Sequence, residues 1–320
     1  MIDVLLIGLS SFARRRVLPA LAELSAVTAV HVATRTGTDD AIAEVPKRGR
    51  VFRDYAEALD TTPPALVYVS LTNDAHAQMV EHALHRGHHV VVDKPAFLDL
   101  ATAERLVTLA RERGLVLAEA TTYAFHPVIE TIKQIFADHG VEPSHLTAEL
   151  MPPVPTDGFR YQSRLGGGVV ADTAPYLASL GRVVWGRAPE WIAACVNSRS
   201  ADGDVETAYS VVARYGAGRA IAGHFAFTTE YRNTITFLGP GLSVEAPGVF
   251  STPPGHTATL TVRSNNEVST VSVPPAFAVA RFLDAVIAAI DQADGGAFAE
   301  ALLADARVID HLRRELRQLP

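Results

Sequence analysis

Residues 4–13 have the sequence VLLIGLSSFA, and this stretch decides the fold of the chain. Four apolar residues predict a buried strand, and the turn after them has the pattern Gly-x-Ser-x-x-Ala, a variant of the dinucleotide-binding pattern Gly-x-Gly-x-x-Gly/Ala. Ser10 stands where a second glycine usually lets the backbone approach a pyrophosphate, and its hydroxyl could donate to a phosphate at the helix N-terminus. The predicted cofactor contacts at this turn are Gly8, Ser10, Ser11, Phe12 and Ala13.

The first third of the chain alternates short apolar runs with helical patterns. Strands are predicted at 4–7, 27–33, 65–70, 89–92 and 115–118, and helices at 14–24, 55–59, 75–86 and 100–113. Such alternation predicts a parallel sheet with right-handed crossovers. The turn pattern alone also fits an ordinary strand–turn–helix, but its place at the start of this alternation favours a doubly wound, dinucleotide-binding Rossmann domain over residues 1–122.

The pattern changes near Tyr123. Strands are predicted at 191–196, 208–215, 219–227, 234–237, 257–262 and 268–273, and helices at 127–138, 174–184, 276–292 and 297–316. Short polar turns between successive strands predict hairpins and therefore a mainly antiparallel sheet. Residues 123–320 are predicted to form an α+β domain for substrate binding and self-association. Apolar residues of one strand, Ile221, Phe225 and Phe227, are expected to need a partner's surface.

Composition limits the class of protein. The 320 residues are 48% hydrophobic and 20% charged, with a net charge of −7. Two domains are expected because single cores stop growing at about 250–300 residues. No basic run indicates a nucleic-acid partner, and no apolar run reaches the length of about 20 residues that a membrane helix needs. The lone Cys195 cannot form an internal disulfide and is predicted to be a small core residue; no metal site is indicated, and a cytoplasmic location is expected.

The end of the second strand bears on the choice of cofactor. It has the sequence Thr34-Arg35-Thr36, with no carboxylate to accept from the ribose hydroxyls as in NAD-binding domains. An arginine fork suits a 2′-phosphate, so the sequence favours NADP(H) over NAD(H). A solvated surface arginine is the alternative.

Further candidates follow the third and fourth strands, at the edge of the sheet where ligands bind. After the third strand these are Leu71, Thr72, Asn73 and His76, and Asn73 is equally suited to capping the next helix. After the fourth come Asp93 and Lys94, followed by Pro95. A lysine at the mouth of a buried strand faces a cavity or is an ordinary strand-end lysine.

The second domain contributes a glycine-rich segment, residues 166–168, followed by Asp172 and Tyr176. Asp172 and Tyr176 are four residues apart and therefore share a helix face. A tyrosine can protonate a carbonyl oxygen, but its usual pKa of about 10 requires a neighbouring cation for work near neutral pH. Lys94 would supply that charge, so Lys94 and Tyr176 are a candidate catalytic pair.

With these residues, the chain resembles the glucose-fructose oxidoreductase / inositol dehydrogenase (Gfo/Idh/MocA) family over nearly its whole length. The family's Glu-Lys-Pro signature appears as Asp93-Lys94-Pro95, and its Gly-Gly-x-x-x-Asp-x-x-x-His/Tyr signature ends on Tyr176. Within the family, it looks like the nucleotide-sugar 3-ketoreductase branch. The segments that carry this likeness are 13–20, 125–127, 231–233 and 250–254.

The resemblance implies hydride transfer from the nicotinamide to a ketone of a sugar or nucleotide sugar, with Tyr176 as the acid. It also implies pairing of sheet faces into a homodimer or homotetramer. Lys94 would lower the pKa of the tyrosine and polarise the carbonyl, and Asp172 would orient substrate hydroxyls. The implied substrate contacts are His126, Arg160, Arg164 and Arg232. For His126 and Arg232, helix capping or a surface ion pair is an equal alternative.

Two other functions remain open at this point. The same scaffold could reduce an imine, a cyclitol or a dihydrodiol. It could also serve as a non-catalytic NADP sensor or co-repressor, although loss of Lys94 or Tyr176 would have favoured that and both are present.

Overall fold

The computed structural model describes residues 1–318. This part of the chain forms two compact units, one from residues 1–120 and 279–303, the other from residues 121–278 and 304–318. Residues 279–303, which the sequence assigned to the second domain, group with the first unit.

The first unit contains a six-stranded sheet in the order β3-β2-β1-β4-β5-β6, and all its strand pairs are parallel. The strands are β1 (Ile2–Ile7), β2 (Val27–Ala33), β3 (Arg48–Phe52), β4 (Leu66–Val69), β5 (His89–Val92) and β6 (Leu117–Glu119). The predicted Rossmann sheet is confirmed. The edge strand β3 was missed because its sequence, RGRVF, is mostly polar and its pattern is mostly exposed.

Helices connect these strands. The helices are α1 (Leu18–Glu23), α2 (Asp39–Ala43), α3 (Tyr55–Thr61), α4 (His76–His85), α5 (Leu100–Glu112), α8 (Ala278–Asp291) and the beginning of α9 (Gly296–Gln318). Of these, α2, α3 and α5 begin at side-chain caps that the sequence supplies. Thr38, Asp54 and Asp99 each accept a hydrogen bond from a backbone N–H in the first turn of the helix that follows. A π-helical turn, Ala13–Val17, leads into α1.

The second unit contains an eight-stranded sheet in the order β14-β13-β12-β11-β7-β10-β9-β8. Its strands are β7 (His145–Met151), β8 (Trp191–Arg199), β9 (Glu206–Tyr215), β10 (Arg219–Ala226), β11 (Arg232–Gly239), β12 (Leu242–Pro247), β13 (Ala258–Ser264) and β14 (Glu267–Val273). Only β7 and β10 pair in parallel, so the predicted, mainly antiparallel sheet is confirmed.

One face of this sheet is covered by α6 (Pro127–Asp138), α7 (Val169–Trp185) and the end of α9. The expectation for Ile221, Phe225 and Phe227 was wrong, because all three side chains are buried in the core beneath these helices. They need no partner subunit. The expectation for Cys195 was also wrong: the strand alternation of β8 places it among the exposed residues. Among the described residues, no helix is long and apolar enough to span a membrane.

Candidate active site

The turn after β1 has the geometry that its sequence predicts. Gly8 has a φ of +91°, and a Cβ there would lie 2.2 Å from the carbonyl oxygen of Ser70. Only glycine fits this close approach of two strand ends. Ala13 is fully buried, as close packing of the helix requires. Ser11 and Phe12 are exposed at the first helical turn, where backbone N–H groups have no partner within the helix and can receive a phosphate.

A chain of hydrogen bonds links this turn to the ends of β4 and β5. The Ser10 and Ser70 hydroxyls are 2.7 Å apart, and Ser70 donates to Asp93 Oδ2 at 2.5 Å. The hydroxyl of Tyr68 donates to Asp93 Oδ1 at 2.7 Å. Ser70 and Tyr68 were not among the predicted residues, although both belong to the predicted strand 65–70.

Burial shifts the pKa values of two groups in this network. Burial, together with the nearby charge of Asp93, raises the pKa of Tyr68 far above its ordinary value, so this tyrosine keeps its proton and donates it. Burial also raises the pKa of Asp93, while the hydroxyls of Ser70 and Tyr68 and the positive charge of Lys94 act in the opposite direction. Each oxygen of the Asp93 carboxyl group has a hydroxyl donor.

His76 lies on the other side of the same segment. Its Nδ1 is 2.9 Å from the carbonyl oxygen of Pro95, and its Nε2 is 3.2 Å from that of Leu71. The ring is fully buried, and each of its two nitrogens faces a backbone carbonyl oxygen. The predicted contact of His76 with the cofactor is not favoured by this geometry, which gives the histidine a bracing position between two loops. Lys94 lies between Asp93 and Pro95 and is partly buried.

The end of β2 exposes the side chain proposed to select the cofactor. Arg35 is exposed, and its guanidinium carbon lies 4.5 Å from the centre of the Tyr55 ring. Thr34 is buried and accepts from the Gly37 N–H, which shapes the loop, while Thr36 is exposed beside Arg35. A cation stacked on an aromatic ring keeps its outward N–H groups available for an anion. Tyr55 was missed, since its approach to Arg35 depends on tertiary packing.

Thr72 and Asn73 lie in the turn before α4. Thr72 is partly buried and Asn73 is buried. The alternative that Asn73 caps the next helix is not supported, because no side chain caps either this 3₁₀ turn or α4. Both residues stay predicted ribose contacts.

In the second unit, the glycine-rich segment folds tightly beneath the start of α7. A Cβ on Gly167 would lie 2.6 Å from the carbonyl oxygen of Phe159, and the Gly168 N–H donates to the carbonyl of Arg160 at 2.8 Å. Glycine is therefore required so that two backbone segments can touch. This contact brings Arg160 back to the first turns of α7.

Arg160 and Asp172 form an ion pair there, with 3.0 Å between Arg160 Nε and Asp172 Oδ2. Asp172 is largely buried, with 8% of its surface exposed. The guanidinium of Arg160 also stacks on Phe159, 4.9 Å from the ring centre. Of the predicted substrate contacts, Arg160 is thus the one that the fold brings to a predicted catalytic residue.

Tyr176 belongs to a cluster of three aromatic rings. Its ring centre lies 5.9 Å from that of Tyr123 and 4.9 Å from that of Phe250. Asn233 supports this cluster by accepting from the Phe250 N–H at 3.2 Å. Burial raises the pKa of Tyr123, whose hydroxyl is hydrogen-bonded to Ser179, so Tyr123 is poorly suited to acid chemistry. Tyr176 is partly buried and has the more accessible hydroxyl-bearing ring of the two tyrosines.

The remaining predicted substrate contacts have structural partners. His126 is buried and caps α6, because its Nδ1 accepts from the Val128 N–H. Arg232 is exposed and forms an ion pair with Glu149 at 2.8 Å. Arg164 is exposed and donates to the side chain of Gln162 at 2.7 Å. For His126 and Arg232, these are the capping and ion-pair alternatives recognised from the sequence.

These features define a dinucleotide-binding oxidoreductase with a Rossmann unit and a second unit built on a mainly antiparallel sheet. A family model described as the oxidoreductase family with an NAD-binding Rossmann fold matches residues 2–121, and the model of the GFO/IDH/MocA C-terminal domain matches residues 131–245. Together they match well over half of the chain. The chain belongs to the GFO/IDH/MocA oxidoreductase family.

Several named relatives are sugar oxidoreductases. The chain is 28% identical to a dTDP-3,4-didehydro-2,6-dideoxy-α-D-glucose 3-reductase of Streptomyces antibioticus, over 90% of this chain and 88% of the relative. It is 26% identical to an NADP(+)-dependent D-xylose 1-dehydrogenase of Haloferax volcanii, over 89% and 88%.

The fold comparison agrees with this result. The structure of a 3-ketoreductase from Actinomadura kijaniata, in complex with NADP and TDP-benzene, matches with a TM-score of 0.91 and 26% sequence identity. The match covers 98% of each chain. Both units therefore have their counterparts in that enzyme.

Proposed function

We propose that this chain is an NADP(H)-dependent reductase of a sugar ketone, and that its substrate is a keto sugar linked to a nucleoside diphosphate. The observation that supports this most is the full-length likeness to 3-ketoreductases, combined with a tyrosine and a lysine at the signature positions. Bound NADPH supplies the hydride, and the chain supplies binding, orientation and a proton.

The cofactor fits the residues present in the first unit. The turn after β1 offers the N–H groups of an opening helix for the pyrophosphate. The exposed, stacked guanidinium of Arg35 offers donors for a 2′-phosphate, and no carboxylate occurs within Thr34-Arg35-Thr36. NADP(H) is therefore the cofactor that we assign.

The proposed proton transfer begins at the hydroxyl of Tyr176, which gives its proton to the carbonyl oxygen as negative charge develops there. The ammonium of Lys94 favours this transfer because a nearby positive charge stabilises both the phenolate and the developing alkoxide. A positioned acid contributes about 10²–10⁴-fold to the rate. In the opposite direction, the phenolate of Tyr176 accepts the proton of a sugar hydroxyl.

Asp172 has two tasks in this proposal. Its carboxylate accepts hydrogen bonds from sugar hydroxyls, and Arg160 holds it in place through the ion pair at 3.0 Å. Arg160 and the exposed Arg164 are the cations nearest to this helix start in the sequence, and they are proposed to meet the diphosphate. His126 and Arg232 contribute through the elements that they anchor.

Turnover with a defined panel tests the substrate class. NADPH oxidation would be followed with a dTDP-linked 3-keto-deoxy sugar, free keto sugars and a cyclic imine. NADP(+) reduction would be followed with a cyclitol and a dihydrodiol. The proposal predicts the highest kcat/KM for the dTDP-linked ketone. Equal turnover of the corresponding free sugar would remove the nucleotide from the proposal, and NADPH binding with no turnover of any member would favour the sensor.

The proposed assembly is a homodimer or homotetramer formed through the open face of the eight-stranded sheet. The residues that support this assembly are not Ile221, Phe225 and Phe227, which are buried. The large apolar side chains that this sheet exposes are Trp191, Val212, Leu238 and Val268. Light scattering at micromolar concentration should give a dimer or larger. A cytoplasmic location also stays a proposal, supported by the single cysteine, and cell fractionation would test it.

A further inference from the structure

The directions of the hydrogen bonds that join Ser10, Ser70 and Asp93 can be worked out from their proton inventory. The Ser70 hydroxyl donates to Oδ2 of Asp93, so its single hydrogen is used there. The bond between the two serines then requires Ser10 to be the donor. Ser10 in turn accepts from the Ala13 N–H at 3.0 Å.

This order changes the role of the serine that replaces a fingerprint glycine. The hydroxyl hydrogen of Ser10 is directed into the protein, toward Ser70, and is not available to a phosphate. The other end of the chain is Asp93, the residue immediately before Lys94. We infer that Ser10 and Ser70 are positioning residues, which hold Asp93 and through it Lys94. The effect on turnover, but not the positioning itself, rests on the proposed function.

The segment around Lys94 is held from several elements. Tyr68 and Ser70 at the end of β4 donate to the two oxygens of Asp93, and His76 from α4 contacts the carbonyl oxygen of Pro95. The charged and titratable groups that act on Asp93 are Tyr68, His76 and Lys94. Another carboxylate, that of Glu119 on β6, belongs to the residue that pairs with Val92, and Val92 immediately precedes Asp93. Lys94 therefore lies between two anchored neighbours.

A double-mutant cycle of Ser10→Ala and Ser70→Ala tests the inference without a sugar substrate. The chain has three lysines, Lys47, Lys94 and Lys133, so competitive acetylation with acetic anhydride can be followed at each one by peptide mass spectrometry. Only the unprotonated amine reacts, and loss of a hold or of a nearby negative charge speeds its reaction. Ser70→Ala should accelerate acetylation of Lys94 by about threefold relative to Lys47 and Lys133.

The cycle has a definite expected result. Ser10→Ala should act in the same direction by a smaller factor, and it should add nothing in the Ser70→Ala background, because it acts through Ser70. Ser70→Thr, which keeps a hydroxyl, should restore the wild-type rate. Thr108→Ala is the matched control, since this exposed hydroxyl donates to the backbone of its own helix and should leave Lys94 unchanged.

Two results would overturn the inference. Unchanged acetylation of Lys94 in Ser70→Ala would show that the chain of hydroxyls does not hold the lysine. The second result is that Ser10→Ala weakens NADPH binding by the same factor in the wild-type and Ser70→Ala backgrounds. That would show that the Ser10 hydroxyl binds a phosphate of the cofactor. If Ser70→Ala fails to fold, Ser70→Cys, with its similar size and weak donor, takes its place in the cycle. The acetylation rates can be interpreted even if the chain does not reduce the proposed sugar substrate, because they require no turnover. If the enzyme is active, Ser10→Ala and Ser70→Ala should each lower kcat by a larger factor than they raise KM for NADPH.

Discussion

The two units hold their predicted catalytic side chains by different means. Around Lys94, directional hydrogen bonds fix the neighbouring residues, through hydroxyls on Asp93 and an imidazole on Pro95. Around Tyr176, aromatic rings pack edge to face and at a tilt, with centre distances of 4.9–5.9 Å. Directional bonds fail when one polar atom is removed, whereas ring packing is insensitive to a hydroxyl. The second unit should therefore tolerate isosteric polar changes better than the first.

The largest expected effect is on turnover. Tyr176→Phe keeps the ring and its packing, so folding and NADPH binding should be unchanged while kcat falls by about 10²–10⁴-fold. Lys94→Ala should reduce kcat at least as much, because it removes the charge that favours proton transfer. Stopped-flow NADPH oxidation and a thermal unfolding scan measure the two quantities. Tyr123→Phe is the matched control: it lies in the same ring cluster, and its kcat should remain within a few-fold of wild type if Tyr176 is the acid.

One buried ion pair interrupts the apolar packing of the second unit. Arg182 on α7 donates twice to Asp305 on α9, at 2.9 and 2.5 Å, and Asp305 is 2% exposed. Burial raises the pKa of Asp305, and Arg182 opposes that rise. Arg182→Ala leaves this carboxylate buried without its cation, so the free energy of unfolding should fall by about 3–5 kcal/mol.

Urea unfolding would measure this loss. Lys133→Ala provides the matched control, because it removes an exposed pair with Glu130 and should change the free energy of unfolding by about 0–1 kcal/mol. A loss of similar size in both variants would show that burial does not distinguish the two pairs.

A smaller effect concerns the cofactor. NADPH should bind at least about tenfold more tightly than NADH, and Arg35→Ala should remove most of that difference, since the bidentate fork for a 2′-phosphate is lost. Tyr55→Leu should remove part of it by releasing the guanidinium. Arg50→Ala is a suitable control, because Arg50 is also exposed and its guanidinium carbon lies 4.5 Å from the centre of an aromatic ring, that of Phe52. Equal dissociation constants for the two cofactors in the wild type would contradict the assignment.

The smallest effect is on stability and follows from Asp93. Its folded-state pKa is raised, so its contribution to stability is complete below the unfolded pKa of about 3.9 and is lost as the pH rises through the folded value. Asp93→Asn does not titrate. The difference in Tm between variant and wild type should therefore shift in favour of the variant from pH 4 to pH 8, although the variant loses activity.

Thermal scans across this pH range would measure the trend. Asp74→Asn, an exposed carboxylate, should show no such trend. A difference in Tm that stays constant or moves in the other direction would show that the carboxylate is not penalised by its burial.

The sequence predicted the parallel sheet closely because its strands are apolar runs with clear ends. The predicted strands 27–33 and 89–92 have the bounds seen in β2 and β5. The central strand β7 was missed, since HLTAELM alternates apolar and polar residues in a way that a helix can share. Strand β12, with its sequence LSVEAP ending in proline, was also missed.

The sequence indicates candidate site residues by their type and position, but it does not indicate their hydrogen-bond and ion-pair partners. Adjacent strand ends place Ser10 and Asp93 at one edge of a sheet, yet the sequence cannot show which way a hydroxyl points. Ser70 was therefore missed as the link between them. The pairing of Arg160 with Asp172 depends on backbone contact at Gly167, and no periodic pattern reports a contact of that kind.

The most direct test of the central claim is a double-mutant cycle of Lys94→Ala and Tyr176→Phe, measured as single-turnover NADPH oxidation with a dTDP-linked 3-keto-deoxy sugar. The two residues come from different units, and they are proposed to act as one acid. The double variant should then be little slower than the slower single variant. Rate losses that multiply would contradict the claim, since they would show that Lys94 and Tyr176 contribute independently.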